Sequence, residues 1–141
     1  MGAESRHRWE TVLLDIRTFF GVTLNICTSA EALECVSADL AGPVPYVADT
    51  TGHTWMTTYR EHSYRVCVIT VIADRHQTWP DLVRTITHEA HHAAEMTLDS
   101  IGEGRTKELH AYLAGWLAEC VTDACIKSGW TPTKETPNDR A

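Results

Sequence analysis

Residues 78–99 read TWPDLVRTITHEAHHAAEMTLD, and the reading of this stretch decides the fold. Thr78 offers a capping hydroxyl, Pro80 stands in the first turn and Asp81 follows the cap by three residues, a combination that starts a helix. From there Leu82/Val83, Ile86, Ala90, Ala93/Ala94 and Thr97/Leu98 recur at helical spacing, which predicts a helix to about Asp99 with that face inward. Ser100-Ile-Gly-Glu-Gly104 breaks it. A following helix is predicted from about Thr106 to Lys127, ending before Gly129 and packing back antiparallel on the first.

Upstream, Thr54–Tyr59 and Tyr64–Ala73 read as paired strands joined by a polar turn at Arg60-Glu-His-Ser63. The second is almost continuous in apolar and β-branched residues (Val66, Cys67, Val68, Ile69, Val71, Ile72), the pattern of a strand covered on both faces near the middle of a sheet. Val22–Cys27 alternates as a short strand. Ser29 is an N-cap for a short helix from Ala30 to about Leu40, which Gly42-Pro43 closes. Before Gly21, Trp9, Val12, Leu13, Ile16 and Phe19/Phe20 recur at helical spacing and predict an amphipathic opening helix from about Arg8 to Phe20. The polar, proline-bearing residues 131–141 read as a flexible tail, leaving residues 1–130 as one domain.

The chain has 141 residues, enough for one domain, with 43% hydrophobic and 22% charged residues and a formal net charge of −7. That balance, with no local Lys/Arg cluster, excludes a nucleic-acid partner as the main reading. No segment approaches a membrane span, and the opening residues lack the apolar core of a signal peptide, so a cytoplasmic setting is expected. Cys27, Cys35, Cys67, Cys120 and Cys125 are odd in number, irregularly spaced and without a C-x-x-C pair. They are expected to be reduced thiols, mostly small buried side chains.

The chemistry is concentrated in His88-Glu89-Ala90-His91-His92, which fits H-E-x-x-H. Residues i and i+4 share a helix face, so His88 and His92 can meet one metal ion. Glu89 projects about 100° around the helix, poorly placed to join that ion and well placed to act as general base toward a water bound to it. Two protein ligands are too few for a catalytic zinc site, which usually has three plus water. The following helix supplies a stripe of Glu108, Tyr112, Gly115 and Glu119. Antiparallel packing favours Glu108 as third metal ligand, with Glu119 and His110 as alternatives, and Gly115 is expected to let the two helices approach closely. Tyr112 is a candidate oxyanion donor or half-buried core tyrosine. Glu95 reads as supporting or solvated, Asp99 or Asp123 as a possible partner of a ligand imidazole, and His91, His7, His53, His62 and His76 as uninvolved.

With these residues in view, His88-Glu-Ala-His-His92 followed by Glu108-Leu-His-Ala-Tyr112-Leu-Ala-Gly115-Trp resembles the zincin metallopeptidases whose third ligand is a glutamate. More narrowly it is similar to small zincin-like proteins encoded by bacteriophages, over about Thr54 to Trp116. The resemblance implies an α+β zincin-like single domain: a small sheet, an active-site helix and a backing helix. It implies Zn²⁺ held by His88, His92 and Glu108, with Glu89 and Tyr112 catalytic. It also implies a strand beside the active-site helix that aligns an extended peptide. The expected function is zinc-dependent hydrolysis of a peptide or protein substrate by a zinc-bound water that Glu89 activates. The alternative is a non-catalytic protein-binding module that keeps the fold and a structural zinc. Two departures from the pattern stand out. The acid often found four residues after the glutamate ligand is Tyr112 here, whereas Glu119 and Asp123 have that spacing, and no second domain forms a cleft wall.

Overall fold

A computed structural model of the chain describes residues 11–15, 20–44, 49–102 and 107–134. The described elements, in chain order, are β1 (Thr11–Asp15), β2 (Val22–Cys27), α1 (Ala30–Ser37), β3 (Gly52–Thr58), β4 (Arg65–Val71), a 3-10 turn (Ala73–Arg75), α2 (Trp79–Ser100) and α3 (Lys107–Lys127). They form an α+β domain with a four-stranded mixed sheet of order β1-β2-β4-β3. The β1–β2 and β3–β4 hairpins are antiparallel, and the two hairpins join through a parallel β2–β4 seam in which Leu24 lies opposite Cys67 and Ile26 opposite Ile69.

The seam explains the composition of its strands. With a neighbour on each edge and cover on each face, every residue of β2 and every residue of β4 after Arg65 is buried. Val22, Leu24 and Ile26, with Cys67, Ile69 and Val71, pack against Leu82, Ile86, Ala90, Ala93, Ala94 and Leu98 of α2 and against Leu113, Leu117 and Val121 of α3. On the opposite face Cys27, Val66 and Val68 meet Ala32, Leu33 and Leu40, with Trp55 and Tyr59 at the margin. The caps are those the sequence indicates: Thr78 Oγ1 accepts from Asp81 N at 3.1 Å, and Ser29 Oγ accepts from Ala32 N at 3.1 Å.

The opening helix is a correction. Thr11–Asp15 is a strand, and residues 8–10 and 16–19 of the expected helix lie outside the described residues. The physical reason is the open edge of β2. Its backbone donors and acceptors are buried and need partners, and β1 supplies them from Thr11↔Cys27 to Asp15↔Thr23. Gly21, at φ 68°, precedes the first residue of β2. Helical spacing over so short a run was outweighed by this pairing. Of the expected tail, the Thr133 and Lys134 amides both donate to Gln77 O, at 2.8 and 3.0 Å. Among the described residues no helix is long and apolar enough to cross a membrane.

Strand β3 is the outer strand beside α2, and one glycine sets how closely they approach. A Cβ on Gly52 would lie 2.8 Å from Thr85 Cγ2, 3.0 Å from Thr70 O and 3.1 Å from Glu89 Cγ. By contrast a Cβ on Gly115, midway along α3, would meet nothing within 4 Å. Gly52→Ala is therefore expected to destabilise by about 1–3 kcal/mol. Gly115→Ala should be neutral or stabilising by about 0.5–1 kcal/mol. Urea midpoints of the two variants check this, and equal shifts would refute the close approach of β3 to α2.

Candidate functional site

The site is built on the side of α2 that turns from the core toward β3. Asp81, Thr85 and Glu89 recur every four residues, and all three are buried polar side chains on a helix whose remaining buried positions are apolar or Thr97. Burying such groups is costly unless they are hydrogen-bonded. Thr54 of β3 supplies the bond for Glu89, donating its hydroxyl to Oε1 at 2.7 Å, and Glu89 as a whole is 5% exposed. Thr85 donates to Nε2 of His76 at 2.8 Å, and His76 Nδ1–H donates to Ile72 O at 2.9 Å in the matching tautomer. His76, expected to be an uninvolved loop residue, is 4% exposed and fastens the start of α2 to the end of β4. Trp130 Nε1 donates to His76 O at 3.1 Å and ties the segment after α3 to the same point.

One step further around α2 stand His88, exposed, and His92, half-buried. Their Nε2 atoms are 3.1 Å apart, with ring planes at 81°. Two Zn–N bonds of about 2.0–2.1 Å meeting at the tetrahedral angle place their nitrogens about 3.3 Å apart, so the pair matches two corners of a zinc site to within a few tenths of an ångström. Without metal the same geometry is a hydrogen bond, one Nε2–H donating to the other ring. As donors, two imidazoles suit zinc and tolerate other divalent transition ions.

The backing helix presents a different face from the one expected. Helix α3 buries Leu113, Leu117, Val121, Ala124 and Cys125. Glu108, Tyr112, Gly115 and Glu119 consequently lie on its solvent side, all exposed, with Tyr112 at 74%. Gly115 faces open space and is not the point of closest helix approach. His110 lies nearer the inner side of α3; its ring centroid is 4.8 Å from that of His91, and its Nε2 is enclosed without a hydrogen-bond partner. His91 is also 5.8 Å from the His92 ring and 3.4 Å from Glu95 Oε2. The histidines thus run from His88 through His92 and His91 to His110. Among the described residues no third His, Cys, Asp or Glu joins His88 and His92 in a group that could hold a metal ion.

Of the remaining candidates, Asp123 pairs with Lys127 at 2.9 Å and Asp99 is exposed. His53 packs beside Trp55, and His62 lies between Tyr59 and Tyr64. His7 lies outside the described residues. The five cysteines are free thiols, with Cys27, Cys67 and Cys125 buried, Cys120 half-buried and Cys35 exposed. Burial pushes the thiols of Cys27, Cys67 and Cys125 up to about 12 and also raises that of Cys120. At neutral pH these three buried groups are neutral side chains and poor nucleophiles.

The sequence does not single out Thr54. Its role depends on the register that sets β3 beside α2, and a threonine in a strand carries no local mark of it. Comparison with known proteins adds no relative: no family model, no curated protein and no solved structure matches this chain.

Proposed function

We propose that this chain is a small zinc-dependent hydrolase acting on peptide bonds, with a zincin-like arrangement of helix and outer strand. The observation that carries the reading is the His88–His92 pair, Nε2 to Nε2 at 3.1 Å, one residue from a carboxylate buried against β3. His88 and His92 would hold the metal, and Glu108, in the first turn of α3, is the proposed third ligand. A zinc ion held there would supply Lewis acidity. Glu89 would be the base that takes up the proton of the attacking water at its carboxylate and returns it to the leaving amine. Thr54 fixes the carboxylate by its hydrogen bond to Oε1, so the base is oriented before substrate arrives. Tyr112, exposed on the same side of α3 as Glu108, is the proposed hydroxyl donor to the substrate oxyanion.

The competing reading is a protein-binding module that keeps the metal without the chemistry. It draws on the solvent-facing position of Glu108, which leaves the histidine pair without a third donor among the described residues. Metal analysis tests the common premise. Purified wild type, supplied with zinc and desalted, is expected to hold about one zinc per chain, and His88→Ala and His92→Ala to hold none. Zinc-free wild type would remove both readings; zinc retained by both variants would move the site elsewhere.

A further inference from the structure

A cavity of about 430 Å³ opens on the sheet face that carries α1, opposite the face packed on α2 and so away from His88, Glu89 and His92. Strand alternation fixes that side. Val22 and Leu24 belong to the core shared with α2, so Thr23 between them points the other way, into the cavity it lines. Thr23 is 4% exposed, and among the described residues its hydroxyl has no hydrogen-bond partner. A buried hydroxyl left unpaired is costly, so this one calls for a polar group brought in through the cavity.

Nearer the surface the lining changes character. Leu13 of β1 and Tyr64 before β4 are exposed apolar side chains on its wall. His62 stands between the rings of Tyr59 and Tyr64, at centroid distances of 6.2 and 5.7 Å, which makes that side of the wall aromatic. Asp39, Arg60 and Glu61 form an exposed mouth. Its backbone is fixed, because Arg60 N donates to Asp39 O at 2.9 Å and Arg60 Nε to Leu40 O at 2.8 Å. Two carboxylates thus stand against one guanidinium, and among the described residues neither Asp39 nor Glu61 has an ion-pair partner. The volume is that of a small-molecule site, and the order by depth is a hydroxyl, then apolar and aromatic walls, then excess negative charge.

We propose that this cavity binds a small aromatic amine bearing a hydroxyl on its ring. The ring hydroxyl pairs with Thr23, the ring packs between Leu13 and Tyr64, and the ammonium group meets Asp39 and Glu61 at the mouth. The site uses none of the proposed metal ligands and needs no metal.

Backbone amide NMR of the full chain tests it with three ligands at constant ionic strength. They are tyramine, tyrosol, in which a hydroxyl replaces the amine, and phenethylamine, which lacks the ring hydroxyl. Tyramine is expected to give saturable shifts at Thr23, Asp39, Glu61 and Tyr64, and to bind about tenfold more tightly than either of the others. Asp39→Asn and Glu61→Gln together should erase the preference over tyrosol, with the fold checked by the rest of the spectrum. Thr23→Val should bring tyramine to the level of phenethylamine. No saturable binding, equal binding of tyramine and either analogue, or an amine preference that survives in the double variant overturns the site.

Discussion

Glu89→Gln is expected to lower peptide hydrolysis by about 10²–10⁴-fold while zinc content stays at the wild-type level. The amide keeps the size of the carboxylate and its carbonyl oxygen can still accept the Thr54 hydroxyl, which wild-type Glu89 receives at 2.7 Å. Packing near Gly52 and Thr85 is therefore preserved, and the loss reports the missing proton acceptor. The two histidine nitrogens are untouched by the change, so metal should remain. The comparison separates the two readings of the site, because a binding module loses nothing measurable when its base is replaced. A Glu89→Gln protein that cleaves as fast as wild type would end the general-base assignment. One that folds but loses its zinc would make Glu89 a ligand.

Alkaline pH is expected to unfold the protein through its buried thiols. Cys27, Cys67 and Cys125 are raised by burial from the usual 9.0 to about 12. A group whose pKa is higher in the folded state contributes stability that is complete below its unfolded pKa and is lost as pH rises toward the folded value. The window is therefore pH 9 to 12: there the unfolded chain releases three protons that the folded chain retains. Each thiol contributes a slope of about 1.4 kcal/mol per pH unit, so the three together give about 4 kcal/mol per pH unit. Total stabilities of about 5–15 kcal/mol do not survive two or three such units. Urea midpoints should be flat from pH 7 to 8.5 and fall steeply above 9, and Cys125→Ala should reduce the slope by about a third. A midpoint unchanged to pH 11 would show that these side chains are not enclosed as described.

The sequence was legible where the signal is local. The Thr78 cap, the inward face of α2 apart from Val83, which is 50% exposed, and the doubly covered strand Arg65–Val71 all follow from spacing within one element. So does the His88–His92 pair, because an i, i+4 relation needs nothing beyond the helix. What depends on how elements meet was not legible. The residues of β1 carry helical spacing, and their strand conformation answers to the open edge of β2. The stripe of Glu108, Tyr112, Gly115 and Glu119 is a real helical face, but its spacing does not say whether it points to α2 or to water. The apolar set Leu113, Leu117 and Val121 on the other side decides that. His76 and Thr54 were overlooked because their partners, Thr85 and Glu89, are 9 and 35 residues away.

The parallel seam between β2 and β4 has a consequence for how the site comes into being during folding. Each hairpin closes over a short loop, whereas the seam joins strands some forty residues apart and pays a larger closure entropy before any contact rewards it. The hairpins and helices are thus expected to form before the seam. The two halves of the candidate site differ in the same respect, one being local to α2 and the other joining residues 35 apart. His88 and His92 come together as soon as one stretch of helix forms. Glu89 finds Thr54 only when the second hairpin docks on that helix. The histidine pair can thus form before the native state, while the hydrogen bond that orients Glu89 is a product of completed folding, an order that would keep the proposed hydrolase inactive until it is folded.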